Sequence, residues 1–199
     1  MLDQIRNTVK NSFLYSIGNM AGKLSGVILL PLYTKFLPIE EYGLLALLEI
    51  SFLFILSISG FGVKNALMRY YWDPEQKGNE KSLFYTSYLF NILVSITTIL
   101  AAFFLLRHFS GEIFGTVLPR NLLWFFLGSS LVRVIADTPL LLMRIQQKAL
   151  SQTRIQLMIL IITVGLTVYL IGYRGMGIEA IFLSQLVGYS LAMLILSGF

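Results

Sequence analysis

The stretch from Leu30 to Leu48, LPLYTKFLPIEEYGLLALL, contains two apolar runs separated by a short acidic turn. The first run meets Lys35 and stops at Pro38, two glutamates follow, and the second run begins after Gly43. A soluble helical hairpin and a pair of membrane-spanning helices joined at one face of a bilayer would both give this pattern. The rest of the chain decides between them.

The composition favours the membrane. Hydrophobic residues make up 56% of the 199 residues and charged residues only 13%, whereas an ordinary soluble domain carries about 25% charge. The mean hydropathy is +0.77. A chain of this length has too little interior to hide so much apolar surface from water. The net charge of +5 comes from scattered basic residues, without a Lys/Arg run, so no nucleic-acid partner is expected.

Six apolar segments are long enough to cross a bilayer, which takes about 20 residues. We therefore predict an all-α transmembrane protein, a single six-helix bundle over residues 1–199. The predicted spans are roughly 13–36, 42–63, 83–106, 122–142, 155–171 and 178–196. The basic start of the chain is not followed by a signal-peptide cleavage site, so the first span is expected to be retained.

Basic residues give the expected orientation, because Lys and Arg concentrate on the cytoplasmic side of membrane proteins. With the N-terminus in the cytoplasm, nine of them lie on the inner face and four on the outer face. The inner set is Arg6, Lys10, Lys64, Arg69, Lys77, Lys81, Arg144, Lys148 and Arg154, and the outer set is Lys35, Arg107, Arg120 and Arg174. We expect a multi-pass protein of the cell inner (plasma) membrane whose N-terminus is cytoplasmic and whose first hairpin turn is outside.

The hairpin resembles the first-hairpin signature of the polysaccharide flippases, the Wzx-like exporters of the superfamily that also contains the MATE drug transporters. In that family a P-x-Y/L-T segment ends one span and L-x-x-x-E-Y-G opens the next, as PLYT and LPIEEYG do here. The later GFGVKNALMRYY is similar to the end of the family's second span. Such transporters usually have about 12 to 14 spans in two six-helix lobes. The resemblance therefore implies an N-terminal lobe alone, either a fragment or a half that pairs with a C-terminal lobe or a second copy.

Five charged residues fall inside the predicted spans, where each costs at least about 2.5–3.5 kcal/mol and usually faces a cavity or a partner. They are Lys23, Glu49, Arg133, Asp137 and Glu179. Counted from the outer span ends at about 1.5 Å per residue, Lys23 and Arg133 lie roughly 18–20 Å deep, Asp137 roughly 24 Å, and both glutamates roughly 8–10 Å. These depths predict a basic cluster with one acid in the inner half of the membrane, and a separate pair of glutamates in the outer half.

Two interpretations of these charges remain open. Arg133 and Asp137 are four residues apart on one helix, so they can pair and simply neutralise each other. Alternatively, Arg133 and Lys23 bind the diphosphate of a lipid-linked sugar, because Arg offers a bidentate fork and Lys a point charge. Asp137 and Glu49 would then take the coupling proton or cation. Arg69 is expected either to receive the incoming diphosphate or to serve as an interfacial anchor.

The first span adds two patterns to this hypothesis. Tyr15, Asn19 and Lys23 recur every four residues and form a polar row on one face, so Asn19 is expected to join the substrate-binding site. Beside this row, Gly18, Gly22 and Gly26 form two overlapping G-x-x-x-G units that let another helix approach closely. Glycines are also simply common in spans.

No catalytic site is predicted. GMGIEA, from Gly175 to Ala180, matches the glycine fingerprint of dinucleotide-binding folds. The apolar run before it is far longer than a strand, so two glycines of an interhelical turn explain it better. His108 is the sole histidine and the chain has no cysteine, which argues against metal catalysis. We expect a protein that is not an enzyme and needs no cofactor.

Three functions follow as hypotheses. The first is export of lipid-linked oligosaccharide or polysaccharide repeat units by alternating access. The second, in the same fold, is a cation-coupled multidrug exporter, which the inner-half excess of Lys and Arg argues against. The third is a non-transporting membrane scaffold for polysaccharide biosynthesis. The expected partners are the lipid-linked oligosaccharide, membrane lipids, the missing lobe or a second copy, and glycosyltransferases or a polymerase.

Overall fold

A computed structural model describes residues 16, 20, 24–73, 75 and 77–197 of the chain. This part of the chain is helical throughout its regular structure and contains no strand, so the predicted all-α fold is confirmed. The helices are α1 (described over Leu24–Phe36), α2 (Ile39–Gly60), α3 (Val63–Tyr70), α4 (Glu80–Phe114), α5 (Arg120–Ile145), α6 (Ala149–Arg174) and α7 (Glu179–Leu196). All except α1 and α3 are long and apolar enough to cross a membrane. The N-terminal part of the predicted first span lies outside the described residues.

Several of the predicted span ends differ from the structure, and the largest difference at a start is that of α6, which begins at Ala149 rather than at residue 155. Helix α2 begins at Ile39 rather than at residue 42, because Pro38 precedes it and Glu40 and Glu41 place negative charge in its first turn. Helix α4 continues past the predicted span end at residue 106 to Phe114, so residues 107–114, which lie between two predicted spans, are helical. The helix stops only where Gly115 adopts the left-handed conformation, with φ of 70°.

The predicted second span ends in a helix break. Phe61 and Gly62 both have positive φ, 35° and 74°, so α2 stops and the eight-residue α3 starts in a new direction. Helix α3 is held by Leu67, which is fully buried in an apolar cluster with Leu141 and Ile145 of α5. Charged residues of α3 are thereby brought beside the end of α5.

The helices alternate in direction, which gives the bundle two ends. The Pro38 end holds the turns at 37–38, 115–119 and 175–178, and the Lys148 end holds the α2–α3 break and the turn at 146–148. At the Lys148 end, Gln146 Nε2 donates a hydrogen bond of 2.8 Å to the Tyr71 hydroxyl. The main apolar core contains residues of α1, α2, α4, α5, α6 and α7.

Helix α5 lies at the centre of the bundle and packs on α2, α3, α4, α6 and α7. Helix α7 can fit closely because one of its faces carries only small residues. These are Ala180, Ser184, Gly188 and Ala192, all buried. A Cβ added to Gly188 would lie 3.4 Å from Thr163 Cγ2, so α6 and α7 touch along this face.

A buried asparagine joins α2, α4 and α5. Asn91, which is 1% exposed, donates from Nδ2 to the Ser59 carbonyl oxygen at 3.2 Å. Its Oδ1 accepts a hydrogen bond from the Thr138 hydroxyl at 3.3 Å. Polar groups in an apolar interior must be paired in this way, so Asn91 fixes the relative positions of the three helices.

Candidate functional site

A cavity of about 500 Å³ lies between α1, α2, α5, α6 and α7. Its volume is within the range of small-molecule binding sites. Among the described residues, three charged side chains line it: Glu49, Arg133 and Asp137. The remaining wall contains neutral polar and aromatic side chains from four helices, among them Tyr33, Phe52, Gln156, Thr163, Thr167, Gln185 and Tyr189.

Arg133 is held from two helices at once. Its Nη1 donates a hydrogen bond of 2.9 Å to Gln185 Oε1 and lies 3.6 Å from Glu49 Oε1. Gln185 closes the network, because its Nε2 donates to the same Glu49 oxygen at 3.2 Å. The guanidinium carbon lies 3.6 Å from the centre of the Phe52 ring, a close cation–π contact. The Arg133 side chain is only 17% exposed.

Helix geometry explains why these residues meet. Glu49 and Phe52 are three residues apart on α2 and share a face, and Gln185 and Tyr189 are four apart on α7. A long side chain on a helix points toward the helix N-terminus. Arg133 therefore extends toward the Pro38 end, where Glu49 and Gln185 lie.

The predicted separation in depth between Arg133 and Glu49 is wrong. Since α2 begins at Ile39, Glu49 lies about 15 Å from the helix start, and Arg133 lies about 20 Å from the start of α5. The length of the arginine side chain covers the difference. The two residues thus form an ion pair instead of belonging to an inner basic cluster and an outer acidic pair.

Of the two open interpretations, the one in which Arg133 and Asp137 neutralise each other is not the arrangement in the structure. Asp137 forms an ion pair with Lys64 of α3, brought to it by the helix break. The order of charges on α5 explains the outcome: with the base N-terminal to the acid, the arginine points away from the aspartate. In the described part of the chain, each of these two charges is therefore neutralised by a residue from another helix.

Several predicted site residues lie elsewhere. Lys23 and Asn19 are outside the described residues, as are Tyr15, Gly18 and Gly22, so their assignment stays a prediction. Gly26 lines the cavity, and a Cβ added there would meet no described atom within 4 Å. Arg69 is exposed on α3, away from the cavity lining, with its guanidinium carbon 5.5 Å from the Tyr70 ring centre. Its role at the mouth of the bundle also stays a prediction.

Gln185 and the polar residues of α6 were not predicted from the sequence as site residues. Gln185 is the sole amide side chain of α7, a helix that is mostly apolar, and its position within the span was a usable signal. On α6, Gln156, Thr163 and Thr167 are spaced by seven and four residues, which places them on one helix face. Among the described residues, no group of three or more potential metal ligands is present.

The turn GMGIEA joins α6 to α7, as predicted. Gly175 ends α6 with φ of 65°. Beside Gly177, the Ile178 N–H of the turn donates a hydrogen bond of 3.1 Å to Oε2 of Glu41 in α2. One of the two acidic residues of the first hairpin thus binds the beginning of the last described helix.

The fold and the buried charged cavity define the class of this molecule, a multi-pass helical membrane protein. The model of one family, described as polysaccharide biosynthesis protein, matches residues 8–198, and the chain belongs to that family. The resemblance to the polysaccharide flippases is thereby confirmed. No curated protein and no solved structure matches the chain significantly.

Proposed function

We propose that this protein exports lipid-linked oligosaccharide or polysaccharide repeat units across the plasma membrane by alternating access, without catalysing a chemical step. The observation that carries the proposal is Arg133 in the wall of a cavity inside the membrane-spanning bundle. A lipid-linked sugar must bring its diphosphate through the membrane interior, and an arginine is the side chain best suited to bind it there.

The guanidinium has donors to offer. Arginine carries five N–H donors. Within the described part of the chain, all its hydrogen bonds and ion pairs are made by Nη1. No described residue accepts a hydrogen bond from Nε or Nη2, and we propose that these donors bind a pair of phosphate oxygens.

The charge balance of the cavity suggests how an ion would couple to transport. Arg133 is paired with Glu49 and Lys64 with Asp137, so these four residues together carry no net charge. An arriving diphosphate would compete with Glu49 for Arg133. We propose that the displaced Glu49, with Asp137, takes up the proton or cation that balances the new negative charge.

Alternating access requires a second group of helices around the same cavity. We propose that a C-terminal lobe or a second copy of the chain supplies it. The N-terminus is proposed to be cytoplasmic, following the distribution of Lys and Arg. Lys23, Asn19 and Arg69 are proposed as further contacts of the substrate.

Export in cells that depend on this protein tests the proposal. Arg133→Gln should lower surface polysaccharide at least about tenfold, the loss expected when one charge-assisted contact is removed. The lipid-linked precursor should accumulate while the amount of protein in the membrane stays normal. The matched control is Arg154→Gln, which removes the same charge from an exposed position on α6 and should export normally. Normal export by the Arg133→Gln variant would refute the proposal.

The two other hypotheses predict different results in the same cells. A multidrug exporter would leave polysaccharide unchanged and would alter drug tolerance. A scaffold would lose export only when glycosyltransferases detach from the membrane, which fractionation of the cells measures.

A further inference from the structure

Two glutamates of α2 connect it to α7. Glu41 Oε2 accepts from the Ile178 N–H at 3.1 Å, and Glu49 Oε1 accepts from Gln185 Nε2 at 3.2 Å. The contacts are eight residues apart on α2 and seven apart on α7, about two helical turns on each. They therefore follow one line between the two helices, which we name the α2–α7 seam.

The seam is held by long side chains rather than by close helix packing. Helix α2 packs mainly on α4 and α5, whereas α7 packs mainly on α5 and α6. Both α2 and α7 contribute residues to the cavity wall. The main packing surfaces of each helix therefore lie against helices other than its partner in the seam.

The Glu41 contact has a specific local geometry. Helix α7 has no side-chain cap from its own residues, and the carboxylate of Glu41 supplies an acceptor for the N–H at its start. Negative charge at a helix N-terminus is also favoured by the helix dipole. A Cβ added to Gly177 would lie 2.5 Å from Glu41 Oε2 and 2.9 Å from Oε1, so the carboxylate occupies this place only because residue 177 is glycine.

An apolar layer lies between this contact and the cavity. The lining residues nearest the Pro38 end are Tyr33, Leu45, Thr167 and Ile181. Closer to that end, Leu37, Ile171 and Ile178 are buried in the main core. Along their own chain segments these three buried side chains lie on the Pro38 side of the lining residues, and Ile178 also makes the Glu41 contact.

We propose that Glu41 is a latch: its contact with the start of α7 keeps the cavity closed at the Pro38 end, and its release opens the cavity toward that side. Glu41 is a positioning residue in this account, because it acts through α7 and does not line the cavity. The inference rests on the proposed function for what passes through the opening, but its test needs no substrate.

The absence of cysteine from the chain makes a direct test available. Thr167→Cys places a single thiol in the cavity wall, where the residue is 1% exposed. Its rate of labelling by a charged, membrane-impermeant methanethiosulfonate is measured from each face of sealed vesicles containing the full chain. A separate Lys35→Cys variant, at an exposed position beside Pro38, identifies the face that carries the Pro38 end.

Adding Glu41→Gln should speed labelling of the cavity thiol at least about tenfold from the Pro38 face, as expected when one hydrogen bond to a charged group is lost. Labelling from the opposite face should not change. Gly177→Ala should reproduce the effect independently, because its methyl group displaces the carboxylate. Glu40→Gln is the matched control, since Glu40 is the exposed neighbour of Glu41 in the same helical turn, and it should behave like the parent.

Two results would overturn the latch: labelling that stays slow in both the Glu41→Gln and Gly177→Ala variants, or labelling that rises equally from both faces, which indicates general loosening. Circular dichroism confirms that each variant is folded before it is labelled. If labelling becomes faster from one face while the Arg133→Gln variant exports polysaccharide normally, the latch stands and the proposed function fails. If the Arg133→Gln variant loses export while labelling stays slow in both latch variants, the proposed function stands and the latch fails.

Discussion

The Arg133–Glu49 pair gives a quantitative test of the site geometry. Arg133→Gln removes a hydrogen bond from a charged donor to Gln185, worth about 1.5–3 kcal/mol, and a cation–π contact with Phe52, worth about 1–2 kcal/mol. Because glutamine is uncharged, the variant does not have to remove a charge from water on folding, and this offsets part of the loss. We expect the free energy of unfolding to fall by about 2 kcal/mol.

The contribution of the Arg133–Glu49 ion pair to this loss of stability is smaller. A fully buried ion pair broken on one side costs about 3–5 kcal/mol, and an exposed pair contributes less than about 1 kcal/mol. The Glu49 side chain is 38% exposed and its oxygen lies 3.6 Å from Arg133 Nη1, so this pair lies closer to the exposed case. We expect a coupling free energy of about 1 kcal/mol between the two side chains.

A double-mutant cycle measures this coupling. Arg133→Gln, Glu49→Gln and the double variant are unfolded in mixed micelles with increasing SDS, and tryptophan fluorescence follows the transition. The control cycle combines Arg133→Gln with Glu40→Gln and should show no coupling, because Glu40 is exposed at the end of the helix. A coupling below about 0.3 kcal/mol between Arg133 and Glu49 would contradict the geometry described above.

Three further predictions concern the rest of the bundle. We expect Lys64→Gln and Asp137→Asn each to lower the free energy of unfolding by only about 0.5–1 kcal/mol, because both side chains are about one-third or more exposed. The loss should become smaller in high salt, and a loss that does not depend on salt would count against the ion pair. Asn91→Ala should lower the free energy of unfolding in SDS by about 2–3 kcal/mol, since it leaves buried polar groups of α2 and α5 unpaired. A loss under about 0.5 kcal/mol would contradict the role of Asn91 in joining these helices. Gly188→Leu should destabilise the protein by more than about 2 kcal/mol, because the larger side chain overpacks against α6. The control is Gly172→Leu, at an exposed position with open space, which should change the unfolding midpoint little. Equal effects of the two variants would show that the small-residue face of α7 is not a packing surface.

The sequence was sufficient to predict an all-helical fold with several membrane-spanning helices, because long apolar runs leave few alternatives. Helix ends were less predictable. The charged and polar residues from Arg107 to Glu112 are typical of a loop, yet α4 continues through them until Gly115 adopts a positive φ. The break at Phe61 and Gly62 was missed for a related reason, since apolar character continues across it while the backbone changes direction.

The cost of a charge inside an apolar span was the signal that singled out Arg133, Asp137 and Glu49, and all three line the same cavity. Their partners could not be predicted, because spacing along one helix says nothing about the rotation of neighbouring helices. Lys64 reaches Asp137 only as a result of the break before α3. Gln185 joins Arg133 and Glu49 only because α7 lies at a particular height against α2.

The length of α4 has a consequence for how the protein sits in a lipid bilayer. Its 35 residues measure about 52 Å, well beyond the roughly 30 Å of a hydrocarbon layer. The stretch between Tyr85 and Arg107, both of residue types that favour the headgroup region, measures about 33 Å and fits that layer, so the last two turns project into the interface. Tilting is one of the ways in which a helix longer than the hydrocarbon layer is accommodated in a thinner membrane. Because α5 packs on α4 and carries Arg133, a tilt of α4 would bear on the helix that holds the cavity's arginine.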